Sequence, residues 1–432
     1  MSASLLIANA RLLDPARKMD SAGFVGVRDG KIEHAGPKAP KGKYQRTIEA
    51  KGQWLMPGLV DLCARFREPG ATHKATIRSE VAAALAGGIT TVCFPPDTRP
   101  VIDTPSVVDR IRRRLKLARE DAGSIDACVL GALTQGLEGT ALPDMAGLLA
   151  AGAVGVSNAL APVATPQVAR RALEYAQGCG LTVHVIPMDA SLAAGGCAHE
   201  GRVATRLGLP GIPSAAETLA VAQWLALVEQ TGARLHFGRL SSAGGVAQIA
   251  LAQSRGLPVT ADVAAHQLFL TEDALVGYDA AFHLLPPLRT EADRQALRAA
   301  VKKGVIGAIC SDHQPHEADA KINPFPMTEP GVSALETLLP LTLALVHEKL
   351  LSPLEAVARL TCGPAAVLGV DAGALQSGRP AHLVLVDPDA RWTLLPEKMI
   401  SAGRNSPFAG RAFRGAVKTT FHAGVARRAA PR

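Results

Sequence analysis

The apolar positions follow two different patterns along the chain. In the middle, short runs of consecutive apolar residues alternate with stretches in which apolar residues recur at helical spacing. Consecutive apolar residues are typical of strands buried on both faces, as in parallel sheets. The predicted strands are residues 59–63, 90–94, 127–133, 154–157, 181–186, 234–240, 258–263 and 305–310. The predicted helices between them include residues 78–86, 167–177, 215–231, 244–254 and 290–303.

Eight such strand–helix repeats predict an α/β fold, a (β/α)8 barrel of the TIM type. A doubly wound open sheet is the alternative. We favour the barrel because no Gly-x-Gly-x-x-Gly sequence follows the first predicted strand. In such barrels the active site lies at the carboxyl ends of the strands, so the residues that follow each strand are the ones to inspect.

Both ends of the chain show short alternating apolar runs separated by Gly and Pro. Examples are residues 4–8 and 24–28 near the start, and residues 382–386 and 415–421 near the end. Alternation of this kind predicts half-buried strands. We therefore expect a small composite β domain built from residues 1–56 and 366–432, with residues 57–365 forming the barrel.

The charge of the chain is mildly basic, +8 with histidine neutral, over 432 residues. The densest basic run, around Arg112, lies in a stretch with helical spacing at residues 106–119. A solvated helix face explains it better than an anion-binding patch. Aromatic residues make up only 4% of the chain and none is interleaved with this run, so we expect no nucleic-acid partner.

The cysteine usage indicates a reducing compartment. Seven cysteines, an odd number, occur without any Cys-x-x-Cys spacing, and several lie inside apolar runs. Reduced, buried thiols of this kind predict a cytoplasmic protein. The long uncharged stretch at residues 145–169 is interrupted by Gly, Asn and Pro, which argues against a membrane span.

The residues at the expected strand ends do not suit a metal. A divalent metal site needs three or more converging His, Cys, Asp or Glu ligands. The positions at the ends of strands one, four, five, six and eight hold Cys63, Arg65, Asn158, Ile186, Arg239 and Asp312. Only Asp312 is a carboxylate, and a guanidinium group cannot bind a cation. We therefore expect neither a metal nor another cofactor at this end of the barrel.

Several motifs resemble those of bacterial dihydroorotases. The run Met-Pro-Gly-Leu-Val-Asp-Leu at residues 56–62, followed by Phe-Arg-Glu-Pro-Gly at residues 66–70, resembles the first-strand signature of that family. Further matches lie at residues 88–92, 211–217, 286–289, 311–316 and 405–408, in order along nearly the whole chain. The resemblance implies an amidohydrolase barrel with a composite β domain, in agreement with the pattern of apolar residues.

The resemblance also assigns roles to single positions. It places the metal ligands of active members at Cys63, Arg65, Asn158, Ile186 and Arg239, none of which keeps the ligand of the family. Asp312 matches the proton-transfer aspartate. Arg67 and His316 match residues that hold the substrate, whereas Asp97 replaces a substrate-binding asparagine. The chain is thus similar to the non-catalytic dihydroorotase-like chains that accompany aspartate carbamoyltransferase in some bacteria.

This similarity implies a pseudoenzyme without catalytic residues. It would act as a structural or assembly subunit of an aspartate carbamoyltransferase complex in de novo pyrimidine biosynthesis, forming homo- and hetero-oligomers with the catalytic chain. One alternative is an active or altered cyclic-amide hydrolase. Another is a sensor in which Arg67 and His316 still bind a carboxylate ligand.

For several individual residues the sequence leaves more than one role open. Asp312 is either a remnant of the catalytic apparatus or, as we favour, a structural acid paired with Arg239 or Arg65. Arg67 could bind a ligand or form a salt bridge with a neighbouring acid. Cys63 is expected to be an inert buried thiol. A displaced metal site built from His73, His313 and His316 is a minor alternative, because no further ligands are in register.

Overall fold

The structure is a computed structural model that describes residues 4–119 and 122–428. The strands are β1 (Ser4–Asp14), β2 (Met19–Arg28), β3 (Lys31–Gly36), β4 (Arg46–Glu49), β5 (Trp54–Pro57), β6 (Leu59–Asp61), β7 (Ile89–Phe94), β8 (Asp126–Ala132), β9 (Ala153–Ser157), β10 (Thr182–Val185), β11 (Ala198–His199), β12 (Gly211–Ile212), β13 (Leu235–Phe237), β14 (Val259–Ala264), β15 (Ala308–Cys310), β16 (Leu383–Thr393), β17 (Ala412–His422) and β18 (Val425–Arg428). The α-helices are α1 (Ile77–Ala86), α2 (Pro105–Ala118), α3 (Met145–Ala150), α4 (Pro166–Gly178), α5 (Ala190–Ala193), α6 (Arg202–Leu207), α7 (Ala215–Thr231), α8 (Ala243–Ser254), α9 (Glu291–Lys303), α10 (Leu338–His347), α11 (Pro353–Leu360) and α12 (Cys362–Leu368).

The predicted barrel is confirmed. Strands β6, β7, β8, β9, β10, β13, β14 and β15 form one parallel sheet in chain order. The first and last strands meet just beyond their ends, where Ala64 forms a bridge with His313. There the Arg65 N–H donates to the His313 carbonyl at 2.9 Å. These bonds close most of the ring, so the strand ends face one common opening.

The sixth barrel strand, β13, is shorter than predicted. The apolar run suggested residues 234–240, but the strand ends at Phe237. Arg239 has φ 58°, in the left-handed region, which an extended strand cannot include. The chain therefore turns at this point and places Arg239 at the barrel opening.

The second sheet combines strands from both ends of the chain, as the composite β domain requires. Its order is β18-β17-β16-β5-β1-β2-β3, with β4 paired to β1. Side chains of Ile7, Leu12, Leu55, Leu383 and Phe421 are fully or almost fully buried in its core. The exact domain limits stay predictions, and residues 1–3 and 429–432 lie outside the described residues.

Helix α2 has the amphipathic character that the sequence predicted. Helix α2 buries Val107, Val108 and Ile111, whereas its basic side chains are exposed. Helix α9 begins with a capping box, in which Thr290 and Asp293 bond each other's backbone N–H groups. Among the described residues, no helix is long and apolar enough to cross a membrane.

The second sheet packs against the amino end of the barrel. The Thr420 hydroxyl donates to the Leu85 carbonyl at 2.6 Å, and the Gly58 N–H donates to the His382 carbonyl at 2.9 Å. A side chain at Gly88 would contact Val384 and Val417. The first residue of β8, Asp126, consequently lies beside the ends of strands from the second sheet.

Candidate functional site

Five side chains at the barrel opening form a cluster, which we call the mouth network: Cys63, Arg65, Asp97, Arg239 and Asp312. All are buried except Asp97, whose side chain is 28% exposed. Arg239 Nη1 donates to Asp312 Oδ1 at 2.7 Å, and Arg65 Nη1 lies 3.5 Å from the same oxygen. Arg65 Nε donates to Asp97 Oδ2 at 2.6 Å. Two guanidinium groups and two carboxylates thus neutralise one another, which buried charges require.

The backbone that carries this network is itself constrained. Arg239 and Asp312 have φ 58° and 48°, where residues other than glycine are uncommon. The Arg239 N–H donates to Asp262 Oδ1 at 2.7 Å. Gln314 Nε2 donates to Asp312 Oδ1 at 3.2 Å. Strained conformations of this kind persist only where the surroundings hold them, and they concentrate at functional sites.

Cys63 has the character of an inert thiol. Burial raises the pKa of its thiol to about 12, although Arg239 and Arg65 act in the opposite direction. Its Sγ accepts from Arg239 Nη1 at 3.2 Å. A protonated thiol is a poor nucleophile and a poor metal ligand.

The remaining two family ligand positions lie outside the mouth network. Asn158 Oδ1 accepts from the Thr134 hydroxyl at 2.7 Å, and Asn158 Nδ2 donates to the Pro162 carbonyl at 3.1 Å. Asn158 therefore fastens its own loop. Together with Ile186 it lines a separate cavity of about 400 Å³.

Arg67 and His316, the two positions that the resemblance assigns to substrate binding, lie next to each other. Arg67 Nη2 is 3.0 Å from His316 Nε2, and Arg67 Nε donates to the Pro315 carbonyl at 3.0 Å. The sequence left open a ligand contact or a salt bridge for Arg67, and its guanidinium group instead contacts a backbone carbonyl and a histidine. Lys74 Nζ contacts His316 Nδ1 at 3.1 Å. Burial lowers the pKa of His316 to about 3, so this ring is neutral at physiological pH.

A cavity of about 380 Å³ adjoins Arg67 and Arg65. Burial lowers the pKa of Arg67 to about 10, which leaves it cationic at neutral pH. Asp97 also lines the cavity and sets a negative charge beside the two arginines. A carboxylate ligand in this cavity would therefore be attracted by the two arginines and repelled by Asp97.

The displaced histidine site considered from the sequence is absent among the described residues. His313 Nε2 pairs with Glu80 Oε2 at 2.8 Å, and its Nδ1 accepts from the Ala334 N–H at 3.0 Å. His73 is 66% exposed and lies 3.8 Å from Glu317. Both histidines are therefore engaged away from His316.

Sequence reasoning missed a different cluster at the opposite end of the barrel. In the described part of the chain, one group of three potential metal ligands has its donor atoms within 4.8 Å of one another, namely Asp126, His382 and His422. We call it the junction triad. His422 lies 296 positions from Asp126, so no local spacing could reveal it. It exists because the second sheet packs against the start of β8.

The junction triad is held by hydrogen bonds. His382 Nε2 and His422 Nε2 each lie 3.0 Å from an oxygen of Asp126, and the two rings stack with centroids 4.3 Å apart. Burial alone would raise the pKa of Asp126, but the hydrogen bonds from both histidines hold that pKa well below its usual range. Asp126 is therefore an anion facing two imidazoles.

The barrel, the composite sheet and the sequence together place the chain in a known class. Residues 54–427 match the family described as the amidohydrolase family, and the chain belongs to that family. It is 49% identical over 419 residues to a dihydroorotase-like protein of Pseudomonas aeruginosa, covering 97% of this chain and 98% of the relative. A dihydroorotase of Anaeromyxobacter dehalogenans is 40% identical over 426 residues, 98% of each chain. The function of the present chain accordingly falls within the dihydroorotase family.

A solved structure agrees in fold. An L-hydantoinase (dihydropyrimidinase) from Arthrobacter aurescens matches with a TM-score of 0.88 and 24% identity, over 99% of this chain and 96% of that chain. At this identity the likeness concerns the fold. It confirms the predicted combination of a barrel with a β domain.

One expectation has to be corrected. The sequence suggested a chain that is not an enzyme, because its mouth positions lack metal ligands. The comparisons contradict this, since relatives that match it over nearly their whole length carry enzyme names. The described residues also contain the junction triad, which could hold a metal at a place the strand-end residues did not suggest.

Proposed function

We propose that the chain serves as an assembly subunit of an aspartate carbamoyltransferase complex in de novo pyrimidine biosynthesis. The observation that supports this proposal is the mouth network. At the positions where the resemblance places metal ligands, Arg65 and Arg239 carry guanidinium groups that neutralise Asp97 and Asp312. The barrel opening is thus filled by a self-compensating set of charges, whereas association with a partner depends on the outer surface.

The partner is proposed from the similarity of the motifs to chains that accompany aspartate carbamoyltransferase. A subunit of this kind forms a permanent contact. Such contacts bury on the order of 2,000 Å² or more and are rather apolar. Exposed leucines on the outer helices, Leu219 on α7 and Leu251 on α8, are 53% and 61% accessible and available for such a contact.

The test is an activity titration. The aspartate carbamoyltransferase catalytic chain of the same organism is assayed alone and with increasing amounts of this chain. The proposal predicts that transcarbamoylase activity rises and saturates at a fixed stoichiometry. An activity that stays the same at every ratio would remove the proposal.

A second candidate function is hydrolysis of a cyclic amide. The enzyme names of the relatives favour it. The position of the junction triad does not, because a metal held at the amino end of the barrel would be separated from the opening where Arg67 lies. Dihydroorotate hydrolysis is assayed with the purified chain, with and without added zinc. Turnover that depends on zinc and disappears in Arg67→Ala would favour this candidate, because Arg67 lies at the barrel opening beside the cavity of about 380 Å³.

A further inference from the structure

The junction triad brings together residues from two parts of the fold. Asp126 begins β8 and therefore lies at the amino end of the barrel, far along the strand direction from Asp312, which follows β15. His382 directly precedes β16, and His422 ends β17 of the second sheet. The triad joins the two sheets at a place distinct from the mouth network.

We propose that the junction triad binds one divalent transition-metal ion of the zinc type. Two imidazole nitrogens and a carboxylate oxygen are a donor set that suits such an ion. The Nε2–Oδ distances of 3.0 Å are close to the separation of neighbouring ligands around a tetrahedral ion, since each ligand lies about 2.0–2.2 Å from zinc. Small movements of the side chains would admit the ion.

The surroundings favour a bound ion with one open position. The side chains of His382 and His422 are 14% and 8% exposed, which shields the nitrogen ligands from water. Asp126 is 54% exposed, so its outer side is open to solvent. A water molecule can therefore complete the coordination from that side.

Binding requires both histidine Nε2 atoms to give up their protons, because each Nε2 is hydrogen-bonded to Asp126 in the absence of an ion. The Ala423 N–H donates to His382 Nδ1 at 3.1 Å, which places the proton of the neutral ring on Nε2. A metal takes the lone pair of Nε2, so that proton has to move to Nδ1. The Ala423 N–H then loses its acceptor. Ala423 lies in the turn between β17 and β18, and the loss of this hydrogen bond is a cost that the bound ion has to outweigh.

The ion would tie the barrel to the second sheet. Because a bound ion stabilises only the folded arrangement, saturating zinc raises the melting temperature. This role goes beyond assembly with a partner and does not depend on it. The residues of the junction triad belong neither to the mouth network nor to the pair formed by Arg67 and His316.

The experiment titrates zinc into untagged protein that has been freed of metal with a chelator, followed by calorimetry and thermal denaturation. We expect one zinc per chain at micromolar concentration and a higher melting temperature. His422→Gln should lower the affinity at least tenfold and remove the thermal shift. His73→Gln, which changes an exposed histidine outside the triad, should leave both unchanged.

Asp126→Asn is the second variant, because its half-exposed side chain can be replaced with little risk to folding. It should weaken zinc binding to a similar degree. The absence of zinc binding by the unaltered chain at micromolar concentration would overturn the proposal. Binding that is equal in the unaltered chain, His422→Gln and Asp126→Asn would overturn it as well, since the ion would then lie elsewhere.

Discussion

Asp312 is a buried carboxylate whose charge depends on two arginines. Asp312 is 2% exposed. Its Oδ1 accepts a hydrogen bond from Arg239 Nη1 at 2.7 Å, and Arg65 Nη1 lies 3.5 Å from the same oxygen. Removing one partner of a buried ion pair is costly because the other charge stays buried without compensation. The arginines at the mouth are thus part of the stability of the barrel, and Arg65 cannot fully replace Arg239 at its longer distance.

We predict that Arg239→Met lowers the free energy of unfolding by about 3–5 kcal/mol, because it leaves Asp312 undercompensated. Chemical denaturation of the variant measures the change. Arg113→Met is the matched control, since Arg113 is exposed on α2 and should change stability by less than about 0.5 kcal/mol. Adding Asp312→Asn to Arg239→Met should recover much of the loss. Equal stability of Arg239→Met and Arg113→Met would show that the pair is not structural.

At the scale of the elements, packing decides which glycines tolerate a side chain. Gly87 directly follows α1 and has φ −80°, a conformation open to any residue, but a Cβ there would lie 2.4 Å from the Leu335 carbonyl oxygen. Gly178 ends α4 and has open space around it. The two positions have similar backbone conformations, but only Gly178 has space for a Cβ atom.

We therefore expect Gly87→Ala to destabilise the chain by about 1–3 kcal/mol, through a clash with backbone that cannot move away easily. Gly178→Ala should be neutral or stabilising by up to about 1 kcal/mol, because alanine favours the helix. Melting temperatures of the two variants test this comparison. The interpretation fails if Gly87→Ala is as stable as Gly178→Ala.

The sequence was informative about elements and much less so about contacts between them. Apolar periodicity located all eight barrel strands and helix α7 at its observed ends. It extended β13 too far, because a run of apolar residues does not reveal the left-handed turn at Arg239. The register of motifs identified Cys63, Arg65 and Arg239 as altered positions. The sequence also predicted that Asp312 pairs with Arg239 or Arg65, and both contacts are present. The pairing of Arg65 with Asp97 and the junction triad follow only from how distant strands pack.

At the scale of the whole molecule, buried histidines make stability depend on pH. Burial lowers the pKa of four of them to values of about 3 to about 4, namely His184, His266, His283 and His316. The ordinary value in an unfolded chain is about 6.5. The unfolded chain therefore binds more protons than the folded one below pH 6.5, and stability falls as the pH is lowered. Burial raises the pKa of Asp61 to about 6, which acts in the opposite direction by one proton.

We predict that these five groups together contribute an uptake of about three protons to unfolding at pH 5, four by the histidines less one for Asp61. The measurement is the denaturation midpoint between pH 6.5 and 4.5, which should fall steadily. In His316→Gln the proton uptake on unfolding should be smaller by about one proton, so the denaturation midpoint should depend less steeply on pH. A midpoint that is flat or rises on acidification would contradict the assignment of these histidines as neutral and buried.

The central claim is that the chain assembles with an aspartate carbamoyltransferase. The most direct measurement is light scattering coupled to gel filtration, on this chain and on the transcarbamoylase catalytic chain of the same organism, separately and mixed. The account predicts a single new peak whose mass equals an integral number of both chains. Two peaks at the masses of the separate proteins, at concentrations up to tens of micromolar, would contradict it.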